Sequence, residues 1–389
     1  MPCVVFCLIP SGANGFWWNG YDVPRFFMKT FLTHSCLNRR PEGRVKMREV
    51  LLESREDRAQ FYLPDRCIGC GTCVQVCPKG ELIIGSVGAV VRGLIDKDFI
   101  EKRMSGACAF CALCSRVCPT GALEFRKNGI AEKDNSYLSV AIRSTVVDSE
   151  KCVHCGLCSD VCPQACIEIE DRHLAEDGSL KVGGRTIIDL ERCVHCGWCA
   201  SVCPTGAISF EKPFAGTFSR DDNVCQACKT CVHTCPANAL FNREWKAGER
   251  GEKVSHRPDA CIYCGACAQA CPVRAIVVSK TAIIPEMKGK GAFEKKIALP
   301  APWPTLTSCL ETDEIACLGC GNCVIACPVN ALSDPYLAAG HLNELEIKPL
   351  LEVRNGTIKV VDQEVCGSCA TCSMICPADA IRLVPREVV

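Results

Sequence analysis

The segment CVHCGLCSDVCP, residues 152–163, combines four cysteines and a proline. A near-copy, CVHCGWCASVCP, follows at residues 193–204. Both fit the template C-x2-C-x2-C-x3-C-P, and this template occurs eight times in the 389 residues. Because a template repeated in this way indicates similar structural units in series, the repeat has to be explained before any other feature of the chain.

The eight copies, numbered here as motifs 1 to 8, use 32 of the 37 cysteines, and a proline follows the fourth cysteine of every copy. In order, the motifs contain Cys67, Cys70, Cys73 and Cys77; Cys108, Cys111, Cys114 and Cys118; Cys152, Cys155, Cys158 and Cys162; Cys193, Cys196, Cys199 and Cys203; Cys225, Cys228, Cys231 and Cys235; Cys261, Cys264, Cys267 and Cys271; Cys317, Cys320, Cys323 and Cys327; and Cys366, Cys369, Cys372 and Cys376.

This spacing is that of the cysteine ligands in bacterial-type [4Fe–4S] proteins. Three cysteines two residues apart let a tight loop wrap one cubane, and the fourth ligates the other cluster of a pair. The following proline suits a first helical turn, where no N–H is needed. A zinc ribbon has two C-x2-C pairs across a longer gap, and disulfide scaffolds are typically small and secreted. The eight motifs therefore predict eight [4Fe–4S] clusters.

The residues around the motifs predict a repeated α+β unit. Several motifs follow an extended run that ends in Asp, as in TVVDSEKC and IKVVDQEVC, and many continue after the proline as x-x-Ala-Ile/Leu. Each unit is then a strand, a cluster loop, a short helix and a strand. Since only 6% of the residues are aromatic, the clusters must fill much of the core, and we expect the apo chain not to fold.

Pairing neighbouring motifs in order gives four tandem bacterial-type two-cluster [4Fe–4S] ferredoxin modules. The expected modules are residues 47–130, 131–215, 216–283 and 309–389. In each module the first three cysteines of one motif share a cluster with the fourth cysteine of the other, as Cys152, Cys155 and Cys158 do with Cys203. The shortest spacer lies between motifs 4 and 5, so the spacing also allows an offset pairing or a module inserted in another.

Composition limits the classes of function. The start, MPCVVFCLIP, has no basic region typical of a signal peptide, and no run of 18 apolar residues predicts a membrane span. We therefore expect a reducing, cytoplasmic location, where thiols persist as ligands. Lys+Arg and Asp+Glu number 44 each, but eight clusters with their thiolates add a charge of roughly −16. This acidity favours basic partner surfaces and argues against nucleic acid.

Two charged residues depart from the repeat. Glu81 stands where six motifs have Ala, and Lys229 replaces the Gly that commonly follows the second cysteine. Because charge near a cluster tunes its potential, we hypothesise that Lys229 raises one cluster potential and Glu81 lowers another. The alternative is that they are exposed side chains with little effect.

The remaining distinctive side chains are expected to be structural. Cys166 takes the alanine position of motif 3 and should pack as a small buried residue. His154 and His195 lie in motifs that already contain four cysteines, so we do not expect them to be ligands. The cysteines that fit no motif are predicted to be packed or free thiols: Cys3, Cys7, Cys36 and Cys309.

Two segments lack the repeat. Residues 1–46 are predicted to be a poorly ordered extension, or translation from an upstream start with Met28 or Met47 as the true one. Residues 284–308, within a basic and then proline-rich stretch, form either a solvated linker or a docking arm for a partner.

Eight such motifs between residues 67 and 380 resemble the archaeal polyferredoxins, in particular the F subunits of formylmethanofuran dehydrogenase, the tungsten or molybdenum enzyme that fixes CO2 in methanogens. The resemblance implies a cytoplasmic electron wire. It would join metal-dependent CO2-reducing subunits to a ferredoxin or a heterodisulfide reductase/hydrogenase partner. The chain has no G-x-G-x-x-G, P-loop or H-E-x-x-H motif, and we expect no catalysis from it alone.

Two other classes remain open. One is a freely diffusing polyferredoxin or hydrogenase-associated carrier, although hydrogenase-linked polyferredoxins typically have more motifs. The other is a structural metal protein. A carrier would purify alone, and a reducible EPR signal with the matching iron and sulfide content would exclude a structural metal protein.

Overall fold

The computed structural model describes residues 48–103, 108–131, 144–174, 182–243, 246, 249, 251–283, 308–333 and 349–386. The predicted extension 1–46 and all of the predicted linker except residue 308 lie outside these ranges. Cys3, Cys7 and Cys36 also lie outside them, whereas Cys309 is half-buried in a strand. All the described residues belong to one compact unit.

Short strands and one-turn helices make up the described part of the chain. The strands are Val50–Arg55, Arg58–Tyr62, Leu82–Ile84, Ile100–Lys102, Leu123–Lys127, Ile130–Ala131, Thr145–Val147, Ile167–Leu174, Val182–Ile188, Ile208–Phe210, Phe214–Arg220, Leu240–Phe241, Ser255–His256, Ile276–Ile283, Ser308–Thr312, Leu351–Arg354, Thr357–Val360 and Ile381–Pro385. The α-helices are Thr72–Val76, Val87–Val91, Leu113–Arg116, Leu157–Asp160, Trp198–Ser201, Thr230–Thr234, Ala266–Ala270, Asn322–Ile325, Pro328–Ser333 and Thr371–Ile375, and the 3-10 helices are Pro64–Arg66 and Gln363–Val365.

An outer strand pair closes each pair of consecutive motifs. The strand before an odd-numbered motif is antiparallel to the strand after the next motif. The four outer pairs are Arg58–Tyr62 with Leu123–Lys127, Thr145–Val147 with Ile208–Phe210, Phe214–Arg220 with Ile276–Ile283, and Ser308–Thr312 with Ile381–Pro385. This return of the chain brings together motifs 1 and 2, 3 and 4, 5 and 6, and 7 and 8, which we call the four motif pairs.

An inner strand pair links the two motifs within three of the motif pairs. It joins Leu82–Ile84 to Ile100–Lys102, Ile167–Leu174 to Val182–Ile188, and Leu240–Phe241 to Ser255–His256. The fourth motif pair departs from this arrangement. There the helix Pro328–Ser333 follows motif 7, and the hairpin of Leu351–Arg354 with Thr357–Val360 precedes motif 8.

Asn330 accounts for this departure. In the seven other motifs the residue two positions after the proline is left-handed and ends the turn, whereas Asn330 is helical. Its fully buried side-chain amide donates to the carbonyls of Leu351 and Val324, at 2.8 and 3.3 Å. Its oxygen accepts from the N–H groups of Leu350 and Leu351, at 2.8 and 3.3 Å. Asn330 therefore attaches the helix to the hairpin.

The aspartates that end several of the extended runs shape the approach to the cysteines. The carboxylate of Asp148 accepts from the N–H groups of Glu150 and Lys151, and its carbonyl accepts from the N–H of Cys152. Asp189, Asp221 and Asp313 make equivalent bonds before motifs 4, 5 and 7. The side chain thus closes the turn that aims the first cysteine at its site.

The predicted boundary between residues 215 and 216 falls inside the strand Phe214–Arg220, and the boundary at 130/131 falls inside the strand Ile130–Ala131. Pro213, directly before the strand Phe214–Arg220, is the turn residue that marks where the strand begins. Each of the five apolar clusters in the described core contains cysteine side chains. The metal-binding thiols that the sequence predicts are therefore part of the core itself.

We expect Asn330→Ala to lower the stability of the chain by about 2 kcal/mol, since the buried N–H groups of Leu350 and Leu351 and the carbonyl of Leu351 lose this partner. Thermal unfolding of the anaerobically purified protein, followed by circular dichroism at one scan rate, would measure the change. Asn322→Ala is the matched control because Asn322 is an exposed amide in the neighbouring helix. Equal unfolding temperatures for the two variants would contradict this role.

Candidate metal centres

All eight motifs share the same backbone bend. The residue two positions after the first cysteine is left-handed, and so is the residue that follows the second cysteine. Successive N–H groups in such a conformation face one concavity, an anion-binding nest of the kind found at iron–sulfur sites. The residues at the two positions are Gly69, Phe110, His154, His195, Ala227, Tyr263, Gly319 and Ser368, and Gly71, Ala112, Gly156, Gly197, Lys229, Gly265, Gly321 and Ala370.

Backbone N–H groups point at the first and fourth sulfurs. The N–H two residues after the first cysteine donates to its sulfur in five motifs, for example from Phe110 to Cys108 at 3.3 Å. The N–H four residues after the fourth cysteine donates in six motifs, for example from Ala122 to Cys118 at 3.1 Å. Because such bonds stabilise thiolates, the loops are suited to thiolate ligands.

Two cavities are lined by the four cysteines that in-order pairing assigns to one cluster. One, of about 500 Å³, is lined by Cys108, Cys111 and Cys114 of motif 2 and by Cys77 of motif 1. The other, of about 360 Å³, is lined by Cys317, Cys320 and Cys323 of motif 7 and by Cys376 of motif 8. The donor set fits a cysteine-ligated [4Fe–4S] cluster.

Electrostatic contacts between sulfurs connect the other sets. Burial, together with the nearby Cys118, raises the pKa of the Cys67 thiol to about 12. Burial likewise raises the pKa of Cys231, Cys196 and Cys372, and the fourth cysteine of the other motif in the pair adds to the effect in each case. These fourth cysteines are Cys271, Cys162 and Cys327; Cys235 acts in the same way on Cys264 and Cys267.

The remaining set is Cys152, Cys155, Cys158 and Cys203. The first two sulfurs raise the pKa of Cys158 after burial, and Cys203 packs against the same apolar cluster as Cys158. Within the described residues, no three Cys, His, Asp or Glu side chains converge as they would around a single metal ion. A cubane is bound differently, because four cysteines each bind a separate iron.

The two histidines of the second motif pair sit beside first cysteines. The Nδ1 atom of His195 lies 3.8 Å from the Cys193 sulfur and 2.8 Å from the hydroxyl of Thr145. His154 repeats this arrangement with Cys152 at 3.6 Å and Thr186 at 3.0 Å. Each threonine belongs to the strand that leads into the opposite motif, so the histidines also tie the two motifs together.

Cys166 is buried, as predicted, but it also contacts two predicted ligands. Its sulfur lies 3.5 Å from that of Cys162. The Cys166 thiol donates to Cys162 and Cys193, which raises its own pKa and lowers the pKa of both acceptors. The sequence showed a cysteine at a position where most motifs have alanine, but it could not show that this cysteine contacts Cys162.

Glu81 and Lys229, the two charged residues that depart from the repeat, differ in their exposure to solvent. Glu81 is buried beside the cavity of Cys77, Cys108 and Cys111, and its Oε2 atom has no hydrogen-bond partner there. Lys229 is exposed at the start of a helix. Solvent screens an exposed charge, so the hypothesis keeps its physical basis at Glu81 and loses much of it at Lys229.

The motif pairs meet at the second cysteines of their loops. Cys70, Cys196 and Cys264, from three different pairs, lie in one apolar cluster. Cys228 and Cys369, from the third and fourth pairs, are also electrostatic neighbours. By contrast, the second cysteines of motifs 2, 3 and 7 are exposed: Cys111, Cys155 and Cys320.

Three of the loops at these contacts between motif pairs contain a threonine directly before the third cysteine. The sequence C-x-T-C occurs only in motifs 1, 5 and 8. In each, the threonine hydroxyl lies 3.3–3.4 Å from the sulfur of the second cysteine, in the pairs Thr72 with Cys70, Thr230 with Cys228, and Thr371 with Cys369. The pattern was visible in the sequence, but its position at contacts between motif pairs was not.

Comparison with protein families identifies the same repeats. A family model described as 4Fe-4S dicluster domain matches residues 1–81, 107–166, 151–207, 224–275 and 316–380, which together exceed half of the chain. Two more models with this description match residues 66–123 and 257–331. The matches at 107–166 and 257–331 join motifs of different strand-paired units, because any two consecutive motifs can satisfy a two-cluster pattern.

Known proteins with similar sequences or structures contain ferredoxin-type domains or belong to redox complexes. The G subunit of a tungsten-containing formylmethanofuran dehydrogenase 2 from Methanopyrus kandleri is 49% identical over 47 residues, 12% of this chain and 60% of that protein. The ferredoxin-type protein NapF of Escherichia coli K12 is 25% identical over 144 residues, 33% of this chain and 85% of NapF. The chain spans less than two thirds of the length of several curated relatives.

A solved structure matches a larger part of the chain. It is a chain of the formate dehydrogenase–heterodisulfide reductase–formylmethanofuran dehydrogenase complex from Methanospirillum hungatei, with a TM-score of 0.56 and 29% identity. The match covers 67% of this chain and 94% of that chain. In the described part of the protein, no helix has the length and apolar character needed to cross a membrane.

We expect Glu81→Gln to raise the reduction potential of the cluster at Cys77, Cys108, Cys111 and Cys114. Removing about 1 kcal/mol of repulsion corresponds to roughly 40 mV for one electron. Potentiometric EPR would measure the shift. Lys229→Gln is the control, since it changes an exposed charge, and a shift of equal size in that variant would refute the effect of burial at Glu81.

Cys166→Ala should lower the potential of the cluster at Cys162, Cys193, Cys196 and Cys199. The S–H group of Cys166 stabilises the more negative, reduced state, so its removal lowers the potential. About 1 kcal/mol again corresponds to roughly 40 mV. The same titration applies, with Cys309→Ala as the control for removing a cysteine outside the motifs. An unchanged potential would leave Cys166 with packing as its only role.

Proposed function

Because this chain belongs to the 4Fe-4S dicluster domain family, we propose that it is an archaeal polyferredoxin that serves as the electron-wire component, resembling the F subunit, of a formylmethanofuran dehydrogenase complex. Its eight sets of four cysteines bind eight [4Fe–4S] clusters, with three ligands from one motif and the fourth from the other motif of the pair. Each bound cluster supplies reversible one-electron chemistry at low potential. The CO2-reducing metal site lies on another protein of the complex, in the cytoplasm.

The position of the second cysteines carries this proposal. A storage protein has no need for contact between its sites, whereas a conductor needs closely spaced sites throughout its interior and accessible sites at its ends. Cys70, Cys196 and Cys264 share one apolar cluster, and Arg92 hydrogen-bonds the loops of both Cys228 and Cys369. These contacts link all four motif pairs into one connected set.

The exposed second cysteines are the accessible sites at the ends of the proposed electron path. Cys111, Cys155 and Cys320 belong to the first, second and fourth motif pairs, so each of these pairs has one loop facing a junction and one facing solvent. The third pair has no exposed motif cysteine. Such an arrangement allows several partners to exchange electrons with the same interior path.

Similarity to proteins of methanogens directs the proposal to a particular complex. The similar chain in the Methanospirillum hungatei structure belongs to a complex that includes formylmethanofuran dehydrogenase. The similar G subunit of Methanopyrus kandleri belongs to an enzyme of the same name. The expected partners are therefore the tungsten- or molybdenum-dependent CO2-reducing subunits and a ferredoxin or heterodisulfide reductase/hydrogenase donor.

Anaerobic affinity purification of the tagged chain from its own organism tests this assignment. We expect it to elute in fixed proportion with tungsten or molybdenum subunits, identified by mass spectrometry, and to contain about 32 iron and 32 sulfide per chain. Elution alone would favour a freely diffusing carrier, and elution with a hydrogenase would favour the hydrogenase-associated alternative.

Substitutions at cysteines distinguish the wire from a metal-binding scaffold. In the purified complex, Cys320→Ala should remove about one eighth of the iron and slow reduction of the complex by the partner that docks at that end. Cys309→Ala, in the same motif pair but outside a motif, should change neither quantity. Loss of iron without any change in reduction from any partner would argue against conduction through this end.

A further inference from the structure

Lys280 occupies a core position of a strand. On the strand Ile276–Ile283, the side chains of Ile276 and Val278 face the core and Val277 faces solvent. The alternation continues to Lys280, which is only 2% exposed. Its Nζ atom lies 5.2 Å from the centre of the Phe214 ring, a cation–π contact on the paired strand.

The groups around Lys280 are predicted cluster ligands. Phe214 belongs to the apolar cluster that contains Cys70 and Cys264. Burial lowers the pKa of the Lys280 ammonium, while Cys70, Cys264 and Cys267 raise it. A buried cation is stable only when it is paired with opposite charge. Here that charge comes from cysteines of two different motif pairs.

A cation also lies at the junction between the third and fourth motif pairs. Arg92, half-buried at the end of the helix Val87–Val91, donates to the carbonyl of Cys228 at 2.9 Å and to that of Cys369 at 2.7 Å. It also donates to the Thr371 hydroxyl at 3.1 Å. One guanidinium thus binds two cluster loops from different motif pairs.

A third cation lies between the second and third motif pairs. Lys212 donates to the carbonyls of Cys261 and Pro258, at 3.0 and 3.2 Å. Burial lowers its pKa, and Cys261 and Cys196 are among the groups that raise it. Arg92 thus hydrogen-bonds loops of two motif pairs, and Lys280 and Lys212 lie where the electrostatic effect of cysteines from two motif pairs reaches them.

We propose that Lys280, Lys212 and Arg92 are junction cations, which raise the reduction potentials of the clusters on both sides of each contact between motif pairs. Reduction adds one negative charge to a cluster, and a nearby interior cation stabilises that charge. Since one cation acts on two clusters, both reduction potentials rise together, and the difference between the two potentials stays small. This inference rests on the proposed electron-wire function.

Lys280→Met and Lys280→Arg provide the test in the holo-protein. Met removes the charge and keeps the apolar stem, whereas Arg keeps the charge. In Lys280→Met, about a quarter of the reducible clusters, two of the eight, should have a reduced-to-oxidised ratio about tenfold lower than in the wild type at a fixed potential. Potentiometric EPR measures this ratio, and a tenfold change is a 59 mV shift for one electron. Lys280→Arg should retain most of the wild-type ratio.

Lys246→Met is the matched control, because it neutralises an exposed lysine of the same motif pair that lies outside the cluster loops. Unchanged ratios in Lys280→Met, or an equal change in Lys246→Met, would overturn the proposal. Measuring the iron content distinguishes a failure of the junction-cation proposal from a failure of the electron-wire proposal. A protein with full iron and reducible clusters but no shift refutes the junction cations, whereas clusters that cannot be reduced refute the wire. If Lys280→Met loses iron, Lys280→Gln replaces it.

Discussion

The structure depends on the antiparallel return that brings the fourth cysteine of one motif to the first three of another. This return makes the motif pair, rather than the motif, the smallest complete unit. The outer strand pair in each unit, such as Thr145–Val147 with Ile208–Phe210, holds the two loops in register. The cysteines belong to the apolar clusters, so metal binding and core formation are coupled in the same residues.

Burying so many thiols creates an electrostatic problem. Burial raises the pKa of most of the thiols, for example Cys196 to about 12, because a thiolate without compensation is unfavourable in the core. The chain compensates at three levels. Backbone N–H groups face the first and fourth sulfurs, threonine hydroxyls lie beside second cysteines at junctions, and interior cations such as Lys280 and Arg92 lie between motif pairs.

The segment around Arg92 shows how packing changes the meaning of a sequence. The apolar run at residues 82–95 is too short for a membrane span, and Arg92 interrupts it. In the structure its helix contributes buried Val87 and Ala89 to apolar clusters, and Arg92 then binds the loops of Cys228 and Cys369. The charge that breaks the apolar pattern is therefore the group that joins three motif pairs.

The spacing of the cysteines by itself determined the cluster type, the iron–sulfur class of protein and the α+β unit, because ligand spacing and the proline are local constraints on the backbone. It showed a common glycine after the second cysteine, a left-handed position that Ala112, Lys229 and Ala370 also occupy, but it gave no such pattern at the left-handed position two residues after the first cysteine. Local spacing cannot choose between partners when consecutive motifs are nearly equivalent. Strand pairing decided which motifs lie together, and packing decided that Glu81 is buried, that Lys229 is exposed and that Lys280 contacts the Phe214 ring in the apolar cluster of Cys70 and Cys264. These outcomes depend on surfaces contributed by residues distant in the sequence, which only the tertiary structure brings together.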